Sequence, residues 1–212
     1  MSSSSSGQHL VIAISRQFGS GGAEVGHALA NKLGVRYADR DILEQAARML
    51  GKDQRELEGL EERVASLWGR AAGILSMGAP EGPYVMPALL PAGEDDLFLV
   101  ESQIIREIAA REDAVVVGRG AFWLLRDHPR LLSAFLHAPE PWRVARIAAR
   151  QGLPEDQARA LIREVDQQRG RFIQSLRAGA HSDARCYHVC LDTSVVGIDS
   201  AVDIVAALAA KR

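Results

Sequence analysis

The sequence predicts an α/β domain in which a parallel sheet is covered by helices on both faces. Short apolar segments alternate with segments whose apolar residues recur at helical spacing. A glycine-rich turn joins the first of these strands to the first helix, and polar or glycine residues lie at or just after the ends of three of the others. The chain has 212 residues, of which 47% are hydrophobic, and this suffices for the core of one domain. We therefore expect a disordered segment over residues 1–8 and a single domain over residues 9–212.

The first strand, turn and helix form a pattern that is typical of phosphate binding. Residues 10–15 predict a strand, residues 16–22 (RQFGSGG) a turn, and residues 23–33 a helix that Gly34 ends as a C-cap glycine. Small residues let backbone amides converge on an anion, and the helix N-terminus adds a partial positive charge. The residues predicted to bind the phosphates of a nucleotide cofactor are Gly19, Ser20, Gly21, Gly22, Ala23 and Glu24.

This turn has no lysine. The usual phosphate-binding turn ends in Lys followed by Ser or Thr, whereas Gly22 and Ala23 stand here. Arg16, which we place inside the turn, either supplies the missing charge or is a surface arginine, and the sequence leaves both open. The missing hydroxyl removes one Mg²⁺ ligand, which Mg²⁺ tolerates because it keeps several waters; Glu24 or Asp39 could contribute through them.

A second strand over residues 35–37 is followed by the polar segment ADRD at 38–41. Helical patterns cover 42–50 and 53–75, and the Pro- and Gly-rich residues 76–96 predict a mobile loop. We thus expect a helical insert with a mobile loop over about 40–97. The later predictions, in chain order, are a helix at 98–111, a strand at 114–117, a strand at 131–137, helices at 141–151 and 154–176, a strand at 189–192, and a helix at 200–210 capped by Asp199 or Ser200.

Parallel sheets bind ligands beyond the carboxyl ends of their strands. Four predicted strands end in polar or glycine-flanked residues, so one edge of the sheet is the expected site. The residues at these ends are Ser15 and Arg16, Asp39 and Arg40, Gly118 and Arg119, and Asp192.

Composition and charge argue against several classes of protein. The formal net charge of −2 gives no basic excess for nucleic acid or an acidic membrane surface. No apolar run reaches the roughly 18 residues of a membrane span. Two cysteines suit a reducing compartment, the Cys and His spacing is not a standard zinc pattern, and no metal ligands are assigned. Residues 1–7 lack the blocks of a signal peptide, so a cytoplasmic location is expected. The sequence does not determine the oligomeric state.

Four segments carry a resemblance to a known family. They are ISRQFGSGG (14–22), YADRDIL (37–43), VVVGRG (115–120) and CLDTSVVGID (190–199). Together they resemble the cytidylate kinase-like family, a branch of the nucleoside monophosphate kinases. This resemblance implies a P-loop kinase fold with a helical acceptor-binding region and an arginine-bearing lid at about 150–186. It also implies transfer of the γ-phosphoryl group of Mg-ATP to CMP or dCMP, with a nucleotide as the small-molecule partner.

The resemblance also implies roles for individual residues. Asp39 and Arg40 follow the second strand, where related kinases face the acceptor phosphate; otherwise Asp39 is a helix N-cap beside a solvated arginine. Arg119 would hold the acceptor phosphate or its base–sugar end. Arg163, Asp166 and Arg169 share a helix face that a closing lid would carry inward, although ordinary i, i+3 ion pairs give the same pattern. The expected catalytic residues are Arg16, Arg119, Arg163, Asp166 and Arg169.

Two rival functions remain open. Without the lysine and the hydroxyl, the chain could be a nucleotide-binding sensor or scaffold that transfers no phosphoryl group. Alternatively, it could be a small-molecule kinase whose acceptor is not a nucleotide, since the loop at 76–96 makes the acceptor pocket hard to interpret.

Overall fold

The computed structural model describes residues 9–39, 94–176 and 181–212, and for residues 94–100 it describes the backbone alone. The predicted disordered segment 1–8, the predicted helices at 42–50 and 53–75, and Arg40 lie outside the described residues. So does the predicted loop up to residue 93. Its predicted end at 96 is wrong, because a helix already begins at Glu94.

Five strands form one parallel sheet within the described part of the chain. The central strand has parallel neighbours on both sides, and four of its six residues are fully buried apolar side chains. Such continuous apolar runs are typical of strands that are covered on both faces. In chain order the strands are β1 (Val11–Arg16), β2 (Arg36–Ala38), β3 (Ala114–Val117), β4 (Leu131–His137) and β5 (Val189–Asp192), and their order in the sheet is β2-β3-β1-β4-β5.

Arg16 belongs to β1, so its predicted placement inside the turn is wrong. Its backbone is in register with Leu136 of β4, and the Gln17 amide donates a hydrogen bond to the Leu136 carbonyl at 3.0 Å. The seven-residue β4 therefore extends the pairing by one residue beyond Ser15. Arg16 consequently leaves the sheet at its carboxyl edge, where the turn begins.

Helices cover both faces of the sheet, as predicted. The first and last helices contribute Val25, Leu29 and Val205 to one core cluster, and Ile104, Ile105 and Phe122 lie in a second cluster on the other face. In chain order the described helices are α1 (Gly22–Leu33), α2 (Glu94–Arg111), α3 (Ala121–Leu124), α4 (Glu140–Gln151), α5 (Glu155–Ser175), α6 (Thr193–Val196) and α7 (Ile198–Ala209).

A third core cluster joins the glycine-rich turn to the α4–α5 pair. Phe18 of the turn is buried among Val144 and Ile147 of α4 and Ile162 and Val165 of α5. Burying a large apolar side chain contributes roughly 1.5–3 kcal/mol. The turn is therefore anchored by its own phenylalanine to the helix pair that contains most of the predicted lid.

The predicted cap of the last helix is wrong. α7 begins at Ile198 with Gly197 as its N-cap, at a φ of 78°, instead of at Ser200. The Asp192 carboxylate instead caps α6, where it accepts a hydrogen bond from the Ser194 amide at 3.0 Å. Gly197 has a positive φ between the two helices, and other residues adopt such a φ only at a cost.

Among the helices that the structure describes, none combines the length and the apolar character needed to cross a membrane.

Candidate functional site

The backbone of the turn requires glycine at two positions. Gly19 and Gly21 have φ angles of 80° and 81°. A Cβ on Gly19 would lie 3.0 Å from the Ile147 side chain, and one on Gly21 would collide with the Ile198 side chain. The Ser20 hydroxyl lies 2.9 Å from the Gln17 carbonyl oxygen and donates into the turn. Glycine and serine therefore shape the turn, while the Ser20 hydroxyl is occupied within it.

The amides at the end of the turn are available to a ligand. α1 begins at Gly22, and the first amides of a helix have no acceptor within the helix. In the described part of the chain, no group accepts a hydrogen bond from the amides of Gly21, Gly22 or Ala23. Converging amides at a helix N-terminus bind phosphate groups well. The Ala23 side chain is a buried methyl group and can contribute only its backbone.

Arg16 occupies the space where the side chain of a P-loop lysine would begin. A Cβ built on Gly22 would lie 2.6 Å from Cβ and 2.7 Å from Cγ of Arg16. The guanidinium group then reaches Gly118, where an added Cβ would collide with Nη1. Nη2 lies 3.7 Å from Oδ1 of Asp39, and each of these two side chains is 16% exposed. The structure thus places the Arg16 guanidinium beside the turn, and the absence of a side chain at Gly22 leaves the room that Arg16 needs.

Asp166 holds the turn from α5. One of its carboxylate oxygens accepts a hydrogen bond from the Phe18 amide at 2.7 Å, and the other accepts one from Nη1 of Arg143 at 2.6 Å. Arg143 is buried and also donates to the carbonyl oxygens of Phe18 and Ala138, at 2.9 and 3.0 Å. Asp166 therefore contacts the backbone of the turn, and Arg143 is a site residue that the sequence analysis missed.

Arg169 also contacts the end of β1, but Arg163 does not. Nη1 of Arg169 donates to the Arg16 carbonyl oxygen at 3.1 Å, and its guanidinium carbon lies 5.6 Å from the centre of the Phe18 ring. Arg163 is 67% exposed and pairs with Glu140 of α4 at 3.2 Å. Hydrogen bonds from Arg159 and Arg163 lower the pKa of Glu140. The structure therefore brings Asp166 and Arg169 to the turn, whereas Arg163 faces α4 and solvent.

His181 is a second contact to Arg16 that the sequence analysis did not identify. Its Nε2 lies 3.2 Å from the Arg16 carbonyl oxygen, and its ring meets the Phe135 ring edge-on at 5.4 Å between centroids. Burial lowers the pKa of His181 and favours the neutral ring. A neutral imidazole with its proton on Nε2 donates to that carbonyl, so the Arg16 backbone is held by Arg169 and His181 together.

Glu24 is engaged with α4. It forms ion pairs with Arg146 and Arg150, which project from that helix towards the first turn of α1. Glu24 therefore links α1 to α4 in this structure, and its contact with a metal through water stays a prediction.

Arg119 lies in a strained turn at the end of β3. Gly118, Arg119 and Gly120 have φ angles of 82°, 55° and 65°, and Arg119 is the one non-glycine residue with positive φ among those described. This conformation costs a non-glycine residue roughly 1–2 kcal/mol. Strain of this kind is concentrated at functional sites, where the surrounding structure holds it in place.

Glu101 of α2 is the buried partner of Arg119. Its Oε1 lies 3.3 Å from Nη1 of Arg119, and the two side chains are 4% and 12% exposed. Burial raises the pKa of Glu101, while the charge of Arg119 lowers it by less. The sequence analysis missed Glu101, although its position was informative: it lies at helical spacing from the buried Ile104, Ile105 and Ile108, on an otherwise apolar face.

The contacts of Asp166 predict a loss of stability on its replacement. Asp166→Ala leaves Arg143 buried without its counter-ion and the Phe18 amide without its acceptor, so we expect the free energy of unfolding to fall by about 3 kcal/mol. Urea denaturation measures this, with Glu164→Ala on the exposed face of α5 as the control. An equal fall in the free energy of unfolding for both variants would show that the contacts of Asp166 with Arg143 and the Phe18 amide do not stabilise the fold.

Comparison with known proteins supports the fold and identifies the family. No curated protein matches the sequence. An uncharacterized protein from Eubacterium ventriosum ATCC 27560 superposes with a TM-score of 0.69 at 21% identity, covering 96% of this chain and 100% of that one. TT1252 from Thermus thermophilus gives 0.55 at 21% identity, covering 97% and 99%. Shikimate kinase from Acinetobacter baumannii, in complex with shikimate, gives 0.50 at 16% identity, covering 96% and 95%.

These similarities confirm the predicted α/β fold of the P-loop kinases. Residues 11–195 match the model of one family, and this range includes β1, the turn, β3 with its Gly-Arg-Gly segment, and the whole of α5 and β5. The chain therefore belongs to the cytidylate kinase-like family.

Proposed function

We propose that this protein transfers the γ-phosphoryl group of ATP to a nucleoside monophosphate, most favourably CMP or dCMP. The proposal rests on the position of the Arg16 side chain. Its Cβ and Cγ pack against Gly22, and its guanidinium group lies beside Gly118. Phosphoryl transfer depends on positioning and on positive charge around the transferred group. A guanidinium group at this position supplies the charge that the turn lost with its lysine.

Arginine is suited to this role. Its planar group donates two parallel hydrogen bonds to phosphate oxygens and stays charged at all physiological pH values. The Asp39 pair is loose, at 3.7 Å between Nη2 and Oδ1. This separation is too long for a hydrogen bond, so a phosphate group that accepts two hydrogen bonds from Arg16 can displace the carboxylate.

In this proposal the acceptor nucleotide binds at the end of β3, which is the neighbour of β1 in the sheet. β1 and β3 are paired with Ile14 opposite Val117, so Arg16 and Arg119 each lie two residues beyond a matched pair. Arg119 would bind the phosphate of the monophosphate, and Arg16 the transferred group. Asp39 and Arg40 would complete the acceptor side. Asp166 and Arg169 would keep the turn and the Arg16 backbone in place.

The donor set at this edge fits Mg²⁺ bound mainly by phosphate and water. Among the residues described, no three His, Cys, Asp or Glu side chains gather into a metal site. Mg²⁺ in kinases commonly uses one or two carboxylates, and Asp39, at the end of β2 and beside Arg16, would hold it. When bound, Mg²⁺ neutralises charge on the phosphates. The turn amides orient the phosphate chain, and no covalent intermediate with the protein is required.

The test is a direct assay of the purified protein. With Mg-ATP and a panel of CMP, dCMP, UMP, AMP and GMP, we expect the fastest diphosphate formation with CMP or dCMP. Reactions without acceptor measure background hydrolysis. Shikimate is included as a non-nucleotide acceptor, because the fold is shared with shikimate kinase. Absence of any diphosphate product would refute the nucleotide kinase proposal.

A sensor or scaffold is the second candidate, favoured by the buried methyl group of Ala23 where kinases carry a hydroxyl. It predicts that ATP or a cytidine nucleotide raises the melting temperature while no phosphoryl group moves. Under either function we propose a cytoplasmic location, a small-molecule ligand, and no nucleic acid or membrane as partner.

A further inference from the structure

The Gly-Arg-Gly turn after β3 is fixed from two sides. A Cβ on Gly118 would collide with Nη1 of Arg16, and a Cβ on Gly120 would lie 2.6 Å from Cδ1 of Leu176. The strained backbone of Arg119 is therefore held between β1 and the end of α5. These contacts fix the backbone of Arg119 but not the orientation of its side chain.

A carboxylate from α2 sets that direction. Glu101 places Oε1 3.3 Å from Nη1 of Arg119, and its side chain is 4% exposed. Within the part of the chain that the structure describes, this Oε1 is buried and accepts no hydrogen bond of good geometry. Burying two charges is costly, and an incompletely hydrogen-bonded pair is a poor source of stability. Stabilisation of the fold therefore does not account for the Glu101–Arg119 pair.

We infer that Glu101 is a positioning residue that holds the Arg119 guanidinium for an anionic acceptor group, such as a phosphate monoester. This inference rests on the proposed function and adds a residue from another element to the acceptor site. Glu101 also repels anions from its own side of Arg119. The phosphate is thereby directed to the side of Gly118, where the Arg16 guanidinium lies.

Two charge pairs then surround Gly118. Arg16 is paired with Asp39, and Arg119 is paired with Glu101. The two pairs differ in burial, because the Asp39 carboxylate is 16% exposed and the Glu101 carboxylate only 4%. A phosphate can replace the looser Asp39 contact, whereas Glu101 stays with Arg119 during binding.

The test compares Glu101→Gln with Glu107→Gln, a matched change on the exposed side of the same helix, where Glu107 pairs with Arg111 at 3.8 Å. We expect Glu101→Gln to raise KM for CMP about tenfold, since the negative charge that holds the Arg119 guanidinium is lost, and to change KM for ATP by less than about two-fold. Glu107→Gln should change neither. Glu101→Asp keeps the charge and should recover part of the affinity for CMP.

A second readout does not depend on turnover. In protein labelled with ¹⁵N, the Nη–H signals of Arg119, assigned by their loss in Arg119→Lys, should be protected from solvent exchange in the wild type, where Nη1 faces Glu101, and less protected in Glu101→Gln. If the wild-type protein forms no diphosphate, the proposed function fails, and these signals together with the calorimetric affinity for CMP still decide the role of Glu101. Unchanged Nη–H signals, or an unchanged KM or affinity for CMP, in a folded Glu101→Gln protein overturn the inference.

Discussion

Replacing Arg16 by alanine is expected to lower kcat about a thousandfold, the order of effect measured when an arginine that stabilises a phosphoryl-transfer transition state is lost. The reason is that Gly22 can offer a phosphate only its backbone amide, whereas the Arg16 side chain packs against Gly22 and brings a positive charge to the turn. Diphosphate formation at saturating Mg-ATP and CMP measures the effect. Arg16→Lys should retain an intermediate rate, since it keeps the charge but not the bidentate geometry.

The control variant removes a guanidinium group at a position away from the turn. Arg111→Ala, at the exposed end of α2, should leave kcat unchanged, because its side chain is 76% exposed and pairs only with Glu107 among the described residues. The exchange variant Arg16→Gly/Gly22→Lys frees the space beside position 22 and returns an ammonium group to the turn. We expect it to recover part of the activity lost in Arg16→Gly. Wild-type turnover by Arg16→Ala would show that this cation is dispensable.

Arg119→Gly is expected to lower kcat/KM for CMP about a hundredfold, with KM for ATP almost unchanged, because the acceptor phosphate loses its bidentate partner. Glycine is chosen because Arg119 has a φ of 55°, which glycine adopts without strain. Steady-state kinetics with each substrate varied in turn measures the effect. Equal effects on the two substrates would place Arg119 outside the acceptor site.

Stability needs a separate control in this experiment, because Arg119→Gly leaves Glu101 buried without its counter-ion. Breaking such a pair destabilises a protein by about 3–5 kcal/mol. The double variant Arg119→Gly/Glu101→Gln removes that uncompensated charge and should recover stability without recovering kcat/KM. Recovery of both would show that the kinetic loss came from unfolding.

The sequence predicted the strands better than the ends of the helices. β3, β4 and β5 have the predicted bounds, because each is a short run of largely apolar residues with a polar residue directly before it and a polar, glycine or proline residue within two positions after it. α2 begins four residues before the predicted start, because its first turn is the acidic segment Glu94–Asp96, which has no apolar periodicity. α7 begins two residues early because the glycine cap at 197 was not recognised.

At the site, the sequence identified residues but not their partners. The glycine pattern located the turn, and helical spacing placed Asp166 and Arg169 on one face. Only the fold shows that Asp166 meets the Phe18 amide 148 residues away, or that Arg163 turns to Glu140 instead. Long-range pairs such as Arg119 with Glu101 depend on how helices pack on the sheet, and periodicity within one helix carries no information about this.

The most direct test of the central claim is a crystal structure with Mg²⁺ and a non-hydrolysable ATP analogue. We expect the β- and γ-phosphates against the amides of Gly21 and Gly22, with a guanidinium nitrogen of Arg16 within about 3 Å of a phosphate oxygen. A phosphate chain bound in the turn while Arg16 stays on Asp39 and Gly118, with no oxygen in reach, would contradict the account.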